Sequence, residues 1–340
     1  MRLPLLFALA LLAAVPANAA DAVPNARATA STVHIEPVAA FPGAIFAFTP
    51  GIRRPTLIVL GGSEGGDEVA REFAPMFARL GYAVLGLPYY DPGYDPAHKI
   101  AGLPRAFVNV PVDRLQAVHD WLAKRPEVDP TRIGLWGVSK GAEFAMIAST
   151  RFDWVKAVVA VVPSDVVWEG WGDWTAKPAT TASFAWDGKP LAFMPYEGMD
   201  AEMAKAARGE DMALRHVHDL GRAHHPERYA AARIPVETYR GRLLLIAGEM
   251  DQIWPSAEMA RAIAERRTQA GLSTDLVVYP DAGHALAGDG THVDSGAMKL
   301  GGTVDAIARD RRDAWARTRA FLAAALAPAT AAARRARPGG

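Results

Sequence analysis

The chain has 340 residues, half of them apolar and 22% charged, with 37 basic side chains balanced by 37 acidic ones. Zero net charge gives no electrostatic ground for nucleic acid or an anionic membrane surface as a partner. The absence of cysteine excludes disulfides, a lipid-anchored cysteine, thiolate metal sites and a cysteine nucleophile. The remaining composition is that of a globular chain long enough for one large α/β domain or two smaller ones.

Residues 1–19 read as a secretory signal. Arg2 supplies the positive start, Leu3 to Val15 the apolar region, and Ala17-Asn18-Ala19 a small-x-small cleavage site, which predicts a periplasmic or secreted protein cut after Ala19. The apolar run is too short to span a bilayer, so no stable membrane insertion is expected. Residues 20–32 form a mobile leader, and short strands are expected at Val33–Ile35 and Ala44–Phe48.

Thr56 to Leu60 is a continuous apolar strand of the kind buried on both faces of a parallel sheet. It runs into Gly61-Gly62-Ser63-Glu64-Gly65-Gly66. The next helix aligns Val69, Phe73, Phe77 and Leu80 on one stripe and stops at Gly81. A strand at Tyr82–Leu87 and a loop from Tyr89 to Arg105 follow. Pro111 opens a helix that buries Leu115, Val118 and Leu122, and Pro126 to Pro130 closes it. Arg132 to Gly137 is a strand, Ala142 to Ala148 a helix, and Ala157 to Val162 a strand. Beyond an interruption come a strand at Leu243–Ile246, a helix at Ala257–Gln269, a strand at Leu276–Tyr279 and a closing helix at Val304–Leu326. Strands alternating with helices predict an α/β, doubly wound, mostly parallel sheet, with one such domain over 33–327 and a disordered tail at 328–340.

Between the strand and helix around residue 139 lies Gly137-Val138-Ser139-Lys140-Gly141, the pattern of a nucleophile elbow. Its two glycines suit a turn too tight for side chains, and the turn lifts the hydroxyl to a helix N-terminus. Gly61-Gly62-Ser63-Glu64-Gly65 fits the same pattern, so the pattern alone does not choose. Chain order does. A serine needs a base, and the base needs an orienting carboxylate, each on a loop at a strand's end in the order serine, acid, histidine. Asp251 and His284 follow the last two core strands, which predicts a Ser139–Asp251–His284 triad. Glu249 and Asp281 are the competing acids and His292 the competing base. Ser63 follows the first strong strand, where this architecture supplies an oxyanion loop. The oxyanion donors are therefore expected to be the amides of Lys140 and Ser63, with Gly62 the next choice.

The interruption, residues 164–235, is a cap insertion. Its Trp168, Trp171, Trp174 and Trp186 are candidate substrate-binding residues, with packing inside the insert as the competing role. His216, His218, His224 and His225 sit in a charged run that reads as a solvated helix face, so no metal is expected. The chemistry requires no cofactor.

These residues resemble a known family, the C-terminal domain shared by acyl-CoA thioesterases and bile acid-CoA:amino acid N-acyltransferases. The resemblance is carried by Ser139-Lys140-Gly141-Ala142-Glu143 at the elbow, with Ala101-Gly102-Leu103-Pro104 and Val110-Pro111-Val112 upstream of it. It continues in Gly248-Glu249-Met250-Asp251-Gln252-Ile253-Trp254 and in Lys299-Leu300-Gly301-Gly302-Thr303. It implies an α/β-hydrolase fold and a Ser139–Asp251–His284 triad acting on a small-molecule acyl ester or thioester. A serine oxyester is less open to amines than a cysteine thioester, so hydrolysis is favoured over amino-acid conjugation. An exported carboxylesterase unrelated to coenzyme A, an N-acyltransferase and a non-catalytic binding protein are the alternatives.

Overall fold

The computed structural model describes residues 32–93, 99–172, 180–291 and 300–328. The expected signal, the leader up to residue 31, Trp174, His292, Lys299 and the tail beyond Pro328 lie outside the described residues.

Apolar runs with strand propensity make the central layer. Its strands are β1 (His34–Pro37), β2 (Ile45–Phe48), β3 (Arg54–Leu60), β4 (Ala83–Gly86), β6 (Val128–Val138), β7 (Val155–Val161), β10 (Arg242–Gly248) and β11 (Asp275–Tyr279). Between β4 and β6 lies the two-residue strand β5 (Val110–Pro111), and the insert contributes β8 (Phe184–Trp186) and β9 (Lys189–Pro190). The large sheet has the order β1-β2-β4-β3-β6-β7-β10-β11. From β4 to β11 every neighbouring pair is parallel, while β2 pairs antiparallel with both β1 and β4.

Period-two geometry sends alternate side chains of each strand to opposite faces. Ile58, Leu60, Ile133, Leu135, Val158, Ala160, Leu243 and Leu245 enter one apolar cluster, with the helices α2 (Leu115–Leu122), α3 (Lys140–Ser149) and α7 (Ser256–Gln269). Leu57, Val59, Trp136, Val159, Val161, Leu244 and Ile246 enter the other, with α1 (Glu68–Arg79) and α8 (Val304–Ala325). Burial on both faces is why these strands read as unbroken apolar runs instead of alternating ones. The expected strand from Arg132 starts earlier, at Val128, and carries Pro130 inside it. Pro111 opens no α-helix directly: it ends β5, and a 3-10 turn at Val112–Arg114 leads into α2.

The insert between β7 and β10 holds β8, β9 and the helices α4 (Met199–Ala207), α5 (Leu214–His224) and α6 (Pro226–Ala232). It is tied to the rest of the domain by a three-stranded sheet β5-β8-β9, in which Val110 and Pro111 pair with Phe184 and Ala185. At its far end Arg267 on α7 is 1% exposed. Its guanidinium donates to the carbonyls of Val236 (2.8 Å), Tyr239 (2.6 Å), Gly241 (3.1 Å) and Ser273 (3.1 Å) and to the Thr274 hydroxyl (2.9 Å). Five neutral acceptors thus hold a buried cation and fix the return of the chain into β10. Replacing Arg267 by Leu leaves them without a donor. The expected cost is on the order of 3 kcal/mol, read as a lowered denaturation midpoint; an unchanged midpoint would refute this role for the residue.

Candidate active site

Parallel strands deliver their carboxyl ends to one edge of the sheet, and the loops leaving that edge are neighbours in space. The glycine-rich loop after β3, the elbow after β6, the insert after β7, the acid loop after β10 and the histidine loop after β11 all leave from it.

The elbow is a forced conformation. Ser139 has φ 56° and ψ −121°, outside the regions open to most L-residues. A Cβ on Gly137 would strike the Gly141 carbonyl, and one on Gly141 would strike the carbonyls of Leu60 and Gly61. Only glycine lets the start of α3 approach β3 and β6 this closely.

Ser139, Asp251 and His284 come together as expected. His284 Nε2 lies 3.0 Å from Ser139 Oγ, and His284 Nδ1 lies 2.9 Å from Asp251 Oδ2. A carboxylate can only accept, so Nδ1–H donates to Asp251 and Nε2 is left to accept the serine proton. Asp251 is fully buried, and its other oxygen accepts the amides of Ile253 (2.9 Å) and Trp254 (3.2 Å). The competing acids are elsewhere: Glu249 pairs with Arg261 at 3.0 Å, and the exposed Asp281 faces Arg309.

The segment after residue 299 explains why its sequence stands out. Leu300 accepts the His284 amide at 2.8 Å and the Gln252 amide at 3.4 Å, so one stretch grips the loops that carry Asp251 and His284. Gly301, at φ 81°, would carry a Cβ straight into the Met250 carbonyl.

Of the two candidate amides on the β3 loop, Gly62's is the one that meets a carboxylate oxygen beside Ser139. Its N–H donates to Glu64 Oε1 at 2.6 Å, and a Cβ built on Gly62 would lie 3.1 Å from the Ser139 Cβ. Lys140 opens α3, and a first-turn amide has no partner within its own helix. The Tyr89 hydroxyl donates to the Gly61 carbonyl at 2.6 Å and steadies the loop.

Two charged side chains that the sequence reading left without a role lie beneath the elbow. Lys140 is 2% exposed and Glu143 is fully buried, with Nζ to Oε2 at 2.6 Å. Lys140 Nζ also donates to Ser183 Oγ at 2.9 Å and stands over the rings of Phe107, Trp171 and Phe184. Glu143 Oε1 accepts the Trp168 amide at 3.1 Å. Burial pushes the lysine pKa down and the glutamate pKa up, and their mutual contact opposes both shifts. Ser183 and Trp168 belong to the insert, so this pair bolts the insert to α3.

The tryptophans of the insert divide. Trp168 is fully buried, donates to Ser164 at 2.8 Å and packs on Tyr196 and His218. Trp171 is half-buried, stacks on Phe107 and donates to Tyr90 at 3.2 Å. Trp186 stands on Phe152 and Arg151, beyond the C-terminal end of α3 and so at the far end of that helix from Ser139. The contacts of these three are with neighbouring side chains of the core and insert, and Trp186 lies at the far end of α3 from Ser139.

His218 was grouped with a solvated face, yet it is 4% exposed. Its ring meets Trp168, Tyr196 and Trp254 edge to face, and Trp254 in turn meets His284. Nδ1–H donates to the Leu214 carbonyl at 2.7 Å, so the neutral ring keeps Nε2 as an acceptor. Periodicity conceals this: α5 is amphipathic, and its apolar stripe consists of Val217, His218 and Gly221. Arg215 on the same helix donates to the Asp251 carbonyl at 3.0 Å, which sets α5 beside the acid loop. Among the described residues no group of histidines and carboxylates could hold a metal ion.

The sequence matches the family described as "BAAT / Acyl-CoA thioester hydrolase C terminal" over residues 111–328. The chain belongs to this family. It is 28% identical over 237 residues to acyl-coenzyme A amino acid N-acyltransferase 2 of Rattus norvegicus, covering 68% of this chain and 49% of that protein. It is 27% identical over 277 residues to acyl-coenzyme A thioesterase 1 of Mus musculus, covering 79% of this chain and 59% of that protein. The chain thus spans about half the length of these curated relatives. Among solved structures, the acylaminoacyl peptidase of Pyrococcus horikoshii superposes with a TM-score of 0.51 at 14% identity, over 85% of this chain and 40% of that one. The shared architecture is the α/β-hydrolase fold.

Two outcomes test these contacts. Glu143→Ala strands a buried ammonium and should cost on the order of 3–5 kcal/mol, most of it recovered in the double variant Lys140→Met/Glu143→Leu; a neutral single variant would contradict the bolt. Burial pushes His218 from 6.5 down to about 3, opposed by its bond to Leu214. Below about pH 6.5 the unfolded chain then binds the extra proton, so stability falls with falling pH by up to about 1.4 kcal/mol per unit. In His218→Gln that part of the slope should vanish from pH-dependent denaturation curves; an unchanged slope would contradict a buried neutral ring.

Proposed function

We propose that the protein is a serine hydrolase that cleaves acyl thioesters or esters through an acyl-enzyme. The observation that carries this reading is the continuous hydrogen-bonded line from Ser139 through His284 to Asp251. Ser139 Oγ attacks the acyl carbon while His284 Nε2 takes its proton. The carbonyl oxygen becomes an oxyanion, received at the positive end of α3 by the amide of Lys140 and, in place of the first choice Ser63, by that of the next choice Gly62, whose position against the Ser139 Cβ supports it. The proton on His284 passes to the departing sulfur or oxygen as its bond to the acyl carbon breaks, leaving the acyl group on Ser139. Water, deprotonated by the same imidazole, releases the acid and restores the serine. Asp251, held by two amides, keeps the imidazole in the tautomer that both halves need.

Hydrolysis is preferred to acyl transfer because the nucleophile is an oxygen and its oxyester intermediate resists amines more than a thioester does. Membership of a family that includes thioester hydrolases supports the acyl thioester as the first substrate to try. The positive start, apolar run and small-residue site of residues 1–19 support export.

Matched acyl-CoA and p-nitrophenyl esters of the same chain length test the substrate class. Turnover of the thioester, abolished in Ser139→Ala and lowered on the order of 10⁴-fold in Asp251→Asn, is the expected result. Ester turnover without thioester turnover would reduce the reading to a carboxylesterase, and retained activity in Ser139→Ala would remove it. N-terminal sequencing of the exported protein should begin at Ala20.

A further inference from the structure

Glu64 is the side chain for which the proposed mechanism has no use, and its placement is specific. It occupies the x position of the second Gly-x-Ser-x-Gly, inside a loop whose exposed amides suit an anion. Although the residue is exposed, its carboxylate turns back onto the loop. Oε1 takes the Gly62 amide at 2.6 Å, and the carboxylate also accepts the amide of Glu64 itself. Glu64 Oε2 and the Ser139 Cβ lie on the same side of Gly62, 2.6 Å and 3.1 Å from where a Cβ would stand. The carboxylate thus occupies the Gly62 amide, to which the proposed mechanism assigns the oxyanion, and is itself an anionic oxygen acceptor.

Resting on that reading of the site, we propose that Glu64 is a specificity-determining residue: it fills the oxyanion hole of the free protein and makes the hole discriminate a neutral acyl carbonyl from the carboxylate product. A thioester or ester carbonyl brings no charge, so it can take the Gly62 amide while Glu64 swings aside. A product acid must bring its carboxylate beside Glu64, and two like charges sharing one site repel. The acid therefore leaves readily and competes poorly with fresh substrate.

The groups facing Glu64 fit this balance. His284 favours the ionised carboxylate and Glu68 on α1 opposes it, while burial pushes the nearby Tyr89 phenol pKa up and the negative charge of Glu64 adds to that. Loss of water around the carboxylate raises its pKa, and the two amide bonds pull the other way. Exclusion of carboxylates is thus set by the ionisation of Glu64 and strengthens as pH rises through it.

The probe is butyrate, measured as a competitive inhibitor of ester hydrolysis between pH 5 and pH 9. In the wild-type protein its inhibition constant should rise steeply with pH. In Glu64→Gln at pH 8 it should be at least tenfold lower, with the pH dependence flattened. Glu64→Ala, which removes the carboxylate without placing an amide in the loop, should move in the same direction and secures the result against misfolding of the first variant. Equal inhibition constants and parallel pH profiles in all three proteins would overturn the proposal, as would weaker inhibition of the variants. Should the wild-type protein turn over neither ester nor thioester, the hydrolase reading fails on its own. Calorimetric titration of butyrate into the same three proteins then decides the discrimination separately, with the same tenfold difference expected and equal affinities overturning it.

Discussion

The site depends on backbone passing backbone at a distance no side chain permits. At Gly137 and Gly141 the end of β6 and the start of α3 press against each other and against β3, and Ser139 is left with a positive φ as the consequence. That conformation is costly for serine, and it persists because apolar packing on both faces of the sheet leaves the chain nowhere else to go. The hydroxyl projects from the sheet edge instead of lying in the strand. Gly62 of the β3 loop comes close to it, a Cβ built there lying 3.1 Å from the Ser139 Cβ, and Lys140 opens α3 directly after it.

Parallel topology does the rest of the assembly. Neighbouring strands end at the same edge, so loops far apart in sequence meet without any long excursion. The acid and histidine loops are further clamped by Leu300 and Gly301, which makes a segment with no chemistry of its own necessary to the geometry. The insert leaves from the same edge and is anchored through Lys140 and Glu143. The residue whose amide is proposed to receive charge is therefore also the one whose side chain ties down the insert. Disturbance of the insert reaches the elbow through two buried side chains.

Much of this was legible in the sequence. Runs such as Thr56–Leu60 and Ala157–Val162 announced a doubly buried parallel sheet, and glycines flanking Ser139 announced the bend. Chain order then picked Asp251 and His284 over their neighbours. What sequence concealed was the third dimension of charged and aromatic residues. Lys140 and Glu143 read as the first turn of a helix, and nothing in their spacing declares that Ser183 and three rings will enclose them. His218 lay in a charged run, yet it lies on the buried stripe of its helix. Trp186 and Trp168 had the composition of a pocket and the contacts of a core. Glu64 did leave a signal: an acid in a glycine-rich loop expected to bind an anion contradicts its surroundings, and such a contradiction points to function.

The central claim is that one strained serine, out of two in matching sequence patterns, is the nucleophile. Peptide mapping of the protein after reaction with a fluorophosphonate tests it most directly. The account predicts a single covalent adduct on the peptide bearing Ser139, lost in Ser139→Ala and retained in Ser63→Ala. An adduct on Ser63, or a folded protein that takes no label, would contradict it.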